Sequence, residues 1–338
     1  MDQHEWRPRS LRPETLVRPV TRDRTGLTGP THRQTRGARY RRTSPGLYVP
    51  TRVDSAVIEQ RILEQAVRLP DPSFAVTGLT GWAALRWRGA RYFEGVDRRT
   101  HLDLPVPLAL GGWHDLGNGP EIAKSRERLS CTEVELVAGI PCAIAERALF
   151  DEIRRYRDKR RGVVALEMTV AARLLTFASF HDYVATCNGW TGVPYVRKVC
   201  ALAGGDTLSP PEAEMRLAWT LDAGHPEPLC NKPVFALDGR QIGFPDLFDE
   251  VAGVVGEYGG TSHVDDDRRS MDRSREDRFR AVQLEYFEVV TGELTDRPTV
   301  VRRMRRARAD ARFIPEGQRQ WTLTPPPGWT PPDWYRAA

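Results

Sequence analysis

Gly243-Phe244-Pro245-Asp246-Leu247-Phe248, followed by Val254-Val255-Gly256-Glu257-Tyr258-Gly259, is the stretch of this 338-residue chain on which the fold reading turns. Alternation from Gln241 to Phe248 puts Ile242, Phe244, Asp246 and Phe248 on one face of a strand. An aspartate among three apolar neighbours is costly unless it is paired or bound to a cation. Val254 to Tyr258 reads as the next strand, with Val255 and Glu257 sharing a face. Just upstream, Val234 to Leu237 and the Asp238-Gly239 turn complete a β-hairpin with Gln241 to Phe248. Further upstream, Ser209-Pro210-Pro211-Glu212 opens a helix: a hydroxyl N-cap, prolines in the first turn and an acid three residues on. That helix runs through Leu217 and Leu221 to Gly224. Asp246 and Glu257 therefore project from adjacent strands, and Glu212 approaches from the preceding helix.

Three carboxylates gathered in this way suit a hard cation. Mg²⁺ prefers oxygen ligands and often takes one or two carboxylates together with substrate phosphate oxygens. Such an ion activates water and neutralises charge building on a scissile phosphate. The expected metal ligands are Glu212, Asp246 and Glu257. His263, six residues after Glu257, is the expected proton-transfer partner. Each residue also has a plainer reading. Glu212 fits a capping box, and a helical wheel puts Glu214 rather than Glu212 inside the apolar stripe, so Glu214 is a rival for the helix acid. Asp246 after Pro245 suits a turn, Glu257 suits an edge strand, and His263 lies beside Asp265, Asp266 and Asp267 near a helix start.

The run SPPEAEMRLAW, then GFPDLF, then VVGEYGGTSH, then DDDRRSMDRSREDRF and EYFEVVT resembles the very-short-patch-repair-like endonucleases of the PD-(D/E)XK superfamily. The match covers about a third of the chain, residues 208 to 312. The resemblance implies an α/β (α+β) core ordered helix, three strands, helix, strand, helix, and Mg²⁺-dependent cleavage of DNA. It implies Asp246 and Glu257 as metal ligands, Glu212 as the helix acid, His263 as the histidine, and Asp272 with Arg275 as the polar pair on the next helix. One departure stands out. The acid or lysine expected two residues after the strand glutamate is replaced by Gly259, on the same strand face as Glu257.

Residues 1 to 52 carry twelve arginines against Asp2, Glu5, Glu14 and Asp23. That local +8, within a net charge of +5, leaves −3 for the rest of the chain. Such an arm suits a polyanion such as DNA, though an arginine-rich segment can equally be a solvated tail. It closes on Arg41-Arg42-Thr43-Ser44-Pro45-Gly46-Leu47-Tyr48-Val49-Pro50, where Ser-Pro-Gly is turn chemistry between two strands of a wing-like hairpin. Thr28 to Gly37 reads as a weak short helix. Residues 53 to 205 read as mixed, with helices at 54–68, 79–88 and 143–155, strands near 101–107 and 132–138, and a mainly helical stretch to about 203. RRTSPGLYVP, GWAALRWRG and IPCAIAERALFDEIR resemble the AbiEi-type antitoxins, which implies a winged-helix-like region and a toxin or other protein partner. Arg147 and Asp151 in that region suit a structural i,i+4 ion pair. The arginines of 302–308 read as a solvated helix face. Six prolines and three tryptophans in residues 315 to 338 favour extended or disordered chain, with docking through the tryptophans as the other option.

With 40% hydrophobic and 28% charged residues, the composition is that of a globular protein. No apolar run approaches the ~20 residues that cross a bilayer, and the polar start from Met1 to Trp6 does not read as a secretory signal. Cys131, Cys142, Cys187, Cys200 and Cys230 form no CxxC pair, which argues against structural zinc and against a disulfide framework. The expectation is a cytoplasmic, Mg²⁺-dependent DNA endonuclease without membrane contact. The alternative is a non-catalytic DNA-binding regulator, of antitoxin or repressor type, whose nuclease fold has decayed at Gly259.

Overall fold

The computed structural model describes residues 16–71, 75–97, 100–112, 116–117, 119–259 and 275–335. His263, Asp272 and the first 15 residues of the basic arm lie outside the described residues. The architecture is mixed α/β in two compact units, which among the described residues are 16–158 with 174–197, and 159–173 with residues from 198 onward. Among the described residues no helix is long and apolar enough to cross a membrane.

The first unit starts with β1 (Val20–Thr21), α1 (His32–Thr35), β2 (Tyr40–Ser44) and β3 (Leu47–Pro50). The expected hairpin forms around Pro45-Gly46, with Gly46 at φ 81°, and β1 joins it to give an antiparallel sheet ordered β1-β3-β2. The weak helix is one turn, α1, closed by a Thr31/Gln34 capping box. This part of the arm is anchored. Gln60 on α2 (Ile58–Ala66) bonds the backbone N–H and C=O of Val17, both at 2.9 Å, and Glu64 pairs with Arg41.

β4 (Gly78–Leu79), α3 (Gly81–Trp87), β5 (Val106–Ala109), β6 (Ile122–Ser125), β7 (Val134–Val137) and β8 (Ile140–Ala143) follow. Their strands form a five-stranded sheet ordered β6-β5-β4-β8-β7. Only β5 and β7 correspond to expected strands. β4 and β8 are short and buried at every position, so they carry no alternation to read. α4 (Ala145–Tyr156) packs on α3 and sets Arg147 among acids. The Arg147 guanidinium is 1% exposed and contacts Asp151 at 3.1 Å, Glu133 at 3.3 Å and Glu127 at 3.1 Å, with the Trp190 ring 4.7 Å from its carbon. The expected i,i+4 pair is thus one spoke of a buried hub.

The second unit takes in α5 (Lys159–Ala171), whereas α6 (Phe177–Thr186) stays with the first unit and α7 (Val193–Cys200) runs up to and across residue 198. α8 (Pro210–Leu217) begins at Ser209, whose side chain accepts from the Glu212 N–H. It continues as a π-helical turn, Ala218–Asp222, and ends at Gly224 with φ 73°. β9 (Val234–Ala236), β10 (Gln241–Gly243), β11 (Leu247–Asp249) and β12 (Val254–Gly259) come next. Residues 275–281 form α9, followed by β13 (Glu285–Val290), α10 (Arg297–Asp310) and β14 (Trp321–Thr322).

The central sheet is ordered β11-β12-β13, antiparallel then parallel. α8, the π turn and α10 cover one face through Met215, Trp219, Val300 and Met304 against Leu247, Val254 and Phe287. Gly256 makes room for the Phe287 ring, which stacks on Trp219 at 5.8 Å. Val234, Ile242, Phe279 and Trp321 pack on the other face, over Phe248 and Val255.

One expectation needs correction. Gln241 to Phe248 is not one strand: it breaks at Phe244-Pro245-Asp246, so β10 pairs with β9 while β11 pairs with β12 in a separate sheet. Proline has no N–H to continue a ladder, which accounts for the break. Of the two options for the Pro/Trp-rich tail, the described residues show docking through its tryptophans. β14 pairs with β9, Trp329 Nε1 donates to Gln241 Oε1 at 2.8 Å, and Trp334 lies 4.8 Å from the Phe244 ring.

Candidate functional site

The break at Pro245 leaves Asp246 just before β11, where the antiparallel register places it opposite Glu257. Its Oδ2 accepts the Tyr258 N–H at 2.7 Å, so the carboxylate takes the place of a backbone partner at the end of the ladder. Glu257 lies on the face shared with Val255, as its spacing implies. Glu212 comes from the first turn of α8, and its Oε2 accepts from the Leu208 N–H at 2.8 Å and from Asn231 Nδ2 at 2.9 Å. Relative exposures of 2% for Glu212, 1% for Asp246 and 4% for Glu257 make this a buried acid cluster rather than a solvated one.

Of the two acids on α8, Glu212 rather than Glu214 is the one buried near Asp246. Glu214 is partly exposed, with its Oε2 3.4 Å from Arg297 Nη2. The wheel favours Glu214 because it assumes one apolar stripe. α8 is buried on two sides, packing on α5 and also on β11 and β12. Arg216 on the same helix pairs with the buried Glu167 of α5 and accounts for the second side.

Mutual repulsion and burial govern the electrostatics. Burial, and then the neighbouring Asp246 carboxylate, push Glu212 up to about 7. Burial also raises Asp246, to about 6, against the opposing Tyr258 N–H and the Arg275 charge. Glu257 rises well above the ordinary carboxyl range, by burial first and then by Asp246, with Arg275 opposing. Arg275 is a cation facing the cluster: its Nη2 is 3.1 Å from Glu257 Oε2 and donates to the Phe244 carbonyl at 2.9 Å.

Glu257 Oε1 is buried and has no hydrogen-bond partner among the described residues. An orphaned carboxylate oxygen beside two further acids is what a hard cation would satisfy, so the donor chemistry fits a divalent metal. Among the described residues no three such side chains already stand in coordinating geometry. The cluster therefore offers the donors and the charge, and closing around an ion requires side-chain adjustment.

A surface cavity reaches the acids' partners, though none of the three acids lines it. Its walls include Asn231 and Arg275, which hold Glu212 and Glu257, together with Phe244, Arg278 and Trp334. Asn231 was not singled out from the sequence. Its signal is a left-handed backbone at φ 54°, a conformation asparagine tolerates, which aims its amide at both Asp206 O and Glu212. Arg275, expected only through the resemblance, does reach the cluster. No protein family, curated protein or solved structure matches the chain.

Proposed function

We propose that the second unit is a divalent-metal-dependent phosphodiesterase that cuts DNA, built on a PD-(D/E)XK-type core. The observation that carries this reading is the buried trio Glu212, Asp246 and Glu257, with the orphaned Glu257 Oε1 inside it. The order α8, short strands, α9, β13, α10 is compatible with that core. Mg²⁺ is the cation this oxygen donor set favours. Bound there, it would lower the pKa of a coordinated water and offset charge on the scissile phosphate.

The protein's own groups have separable tasks. Leu208 N–H and Asn231 fix one oxygen of Glu212, and Tyr258 N–H fixes one oxygen of Asp246. Arg275 holds Glu257 Oε2 and leaves Oε1 for a ligand. Arg275 and Arg278 line the cavity, where guanidinium groups suit phosphate oxygens. In the first unit, Arg22, Arg24, Arg33, Arg36, Arg39 and Arg42 are exposed around the β1-β3-β2 sheet, which supports a polyanionic partner. Ligand carboxylates must be deprotonated, so metal affinity should rise with pH through the range in which Asp246 and Glu212 titrate.

The test is nicking of supercoiled plasmid by the full chain with Mg²⁺ or Mn²⁺, against EDTA and against Asp246→Asn. Metal-dependent nicking that Asp246→Asn abolishes is the expected result. Gly259 favours a second reading, the DNA-binding regulator, because a ligand side chain is absent there. Tight plasmid binding with no cleavage under any metal would select that reading and reject ours.

A further inference from the structure

The parallel pairing of β12 with β13 sets Glu288 directly opposite Glu257. Asp246 occupies the same position on the other side of Glu257. Register partners project to the same side of a sheet, so Glu257 and Glu288 lie side by side, and Asp246, one residue before β11, continues the row where that register is extended by one pair. Glu288 adds to the negative field that raises Glu257.

The position two residues after Glu257 has a carboxylate neighbour from β13. A Cβ built on Gly259 would collide with Glu288 Oε1 and lie 3.2 Å from its Cδ. Gly259 is not a positive-φ glycine, so its backbone does not demand glycine. The space that a side chain at 259 would enter holds the end of the Glu288 side chain instead.

We propose that Glu288 supplies the further carboxylate of the metal site, delivered from β13 in place of a side chain from Gly259. This deepens the metal-site reading above and rests on it. It also removes the main argument for a decayed site, since the donor has moved to the neighbouring strand rather than vanished. Within this row Glu257 Oε1 is buried without a hydrogen-bond partner among the described residues, which is the sign beyond the clustering of acids that a ligand belongs there.

The test is Mn²⁺ binding by calorimetry on the full chain, comparing wild type, Asp246→Asn, Glu288→Gln, Glu288→Asp, Glu288→Ala, Gly259→Asp and the double variant Glu288→Ala with Gly259→Asp. Melting temperature in EDTA is measured alongside. Glu288→Gln keeps the side-chain shape and should bind Mn²⁺ on the order of ten- to a hundredfold more weakly, with no fall in melting temperature. Glu288→Asp keeps the charge and should lie between the two, and it serves as the variant of record if the glutamine chain does not fold. The double variant places the donor back on β12 and should regain affinity, whereas Gly259→Asp alone should not, because Glu288 already fills the space. Mn²⁺ affinity that falls in Asp246→Asn but not in Glu288→Gln or Glu288→Asp overturns the role of Glu288 and leaves the metal site standing. A wild type that binds no Mn²⁺ overturns both.

Discussion

Neutralising Glu212 gives the most direct check on the electrostatics of the site. Its carboxyl sits at about 7 in the folded protein against an ordinary 4.5, with burial the larger cause and Asp246 the next. At about 1.4 kcal/mol per pH unit, that difference corresponds to about 3 kcal/mol. A folded-state pKa raised above the unfolded one means the stabilising contribution is fully present below pH 4.5 and is lost as pH rises through 7. Asp246, raised to about 6, and Glu257, also raised, act with the same sign. In EDTA, the protection of amides in α8 and β12 should therefore fall between pH 4.5 and 8, once intrinsic exchange rates are corrected. Glu212→Gln keeps an acceptor for Leu208 N–H and Asn231 while removing the charge. It should flatten the pH dependence by about 3 kcal/mol, and by more to the extent that it also relieves Asp246. Millimolar Mg²⁺ should restore protection at pH 8 in the wild type and much less in the variant. Native-state hydrogen exchange read by mass spectrometry, on peptides within 210–222 and 247–259, measures both effects. Identical pH dependences in wild type and Glu212→Gln would refute the claim that this acid is held charged at a cost.

Two further perturbations probe the frame around the site. Arg147→Met removes the buried centre of the hub joining Glu127, Glu133 and Asp151 and should cost about 3–5 kcal/mol, read as lost amide protection in α4, while metal binding by the second unit stays intact. Trp321 is 5% exposed against Phe248, and Trp321→Ala should cost about 3–5 kcal/mol in the second unit. Limited proteolysis should then cut between α10 and β14, where the wild type resists; equal resistance would show that the strand does not hold the tail down.

Local chemistry was legible from the residues alone. Ser-Pro-Gly at 44–46 and Asp238-Gly239 turn where expected, Ser209 caps α8, and alternation along Val254 to Tyr258 puts Glu257 with Val255. Those signals work because turns, caps and strand faces depend on residues within a few positions of one another. The tertiary structure decided the rest. Choosing Glu212 over Glu214 required knowing that α8 packs against both α5 and the central sheet, since a single apolar stripe describes only one buried side. The docking of the tail depended on β9 offering an open edge to β14, which composition does not record. Glu288 was invisible for a stronger reason. Its place beside Glu257 comes from a parallel pairing between strands thirty-one positions apart at that pair, and no periodicity within either strand specifies the register between them.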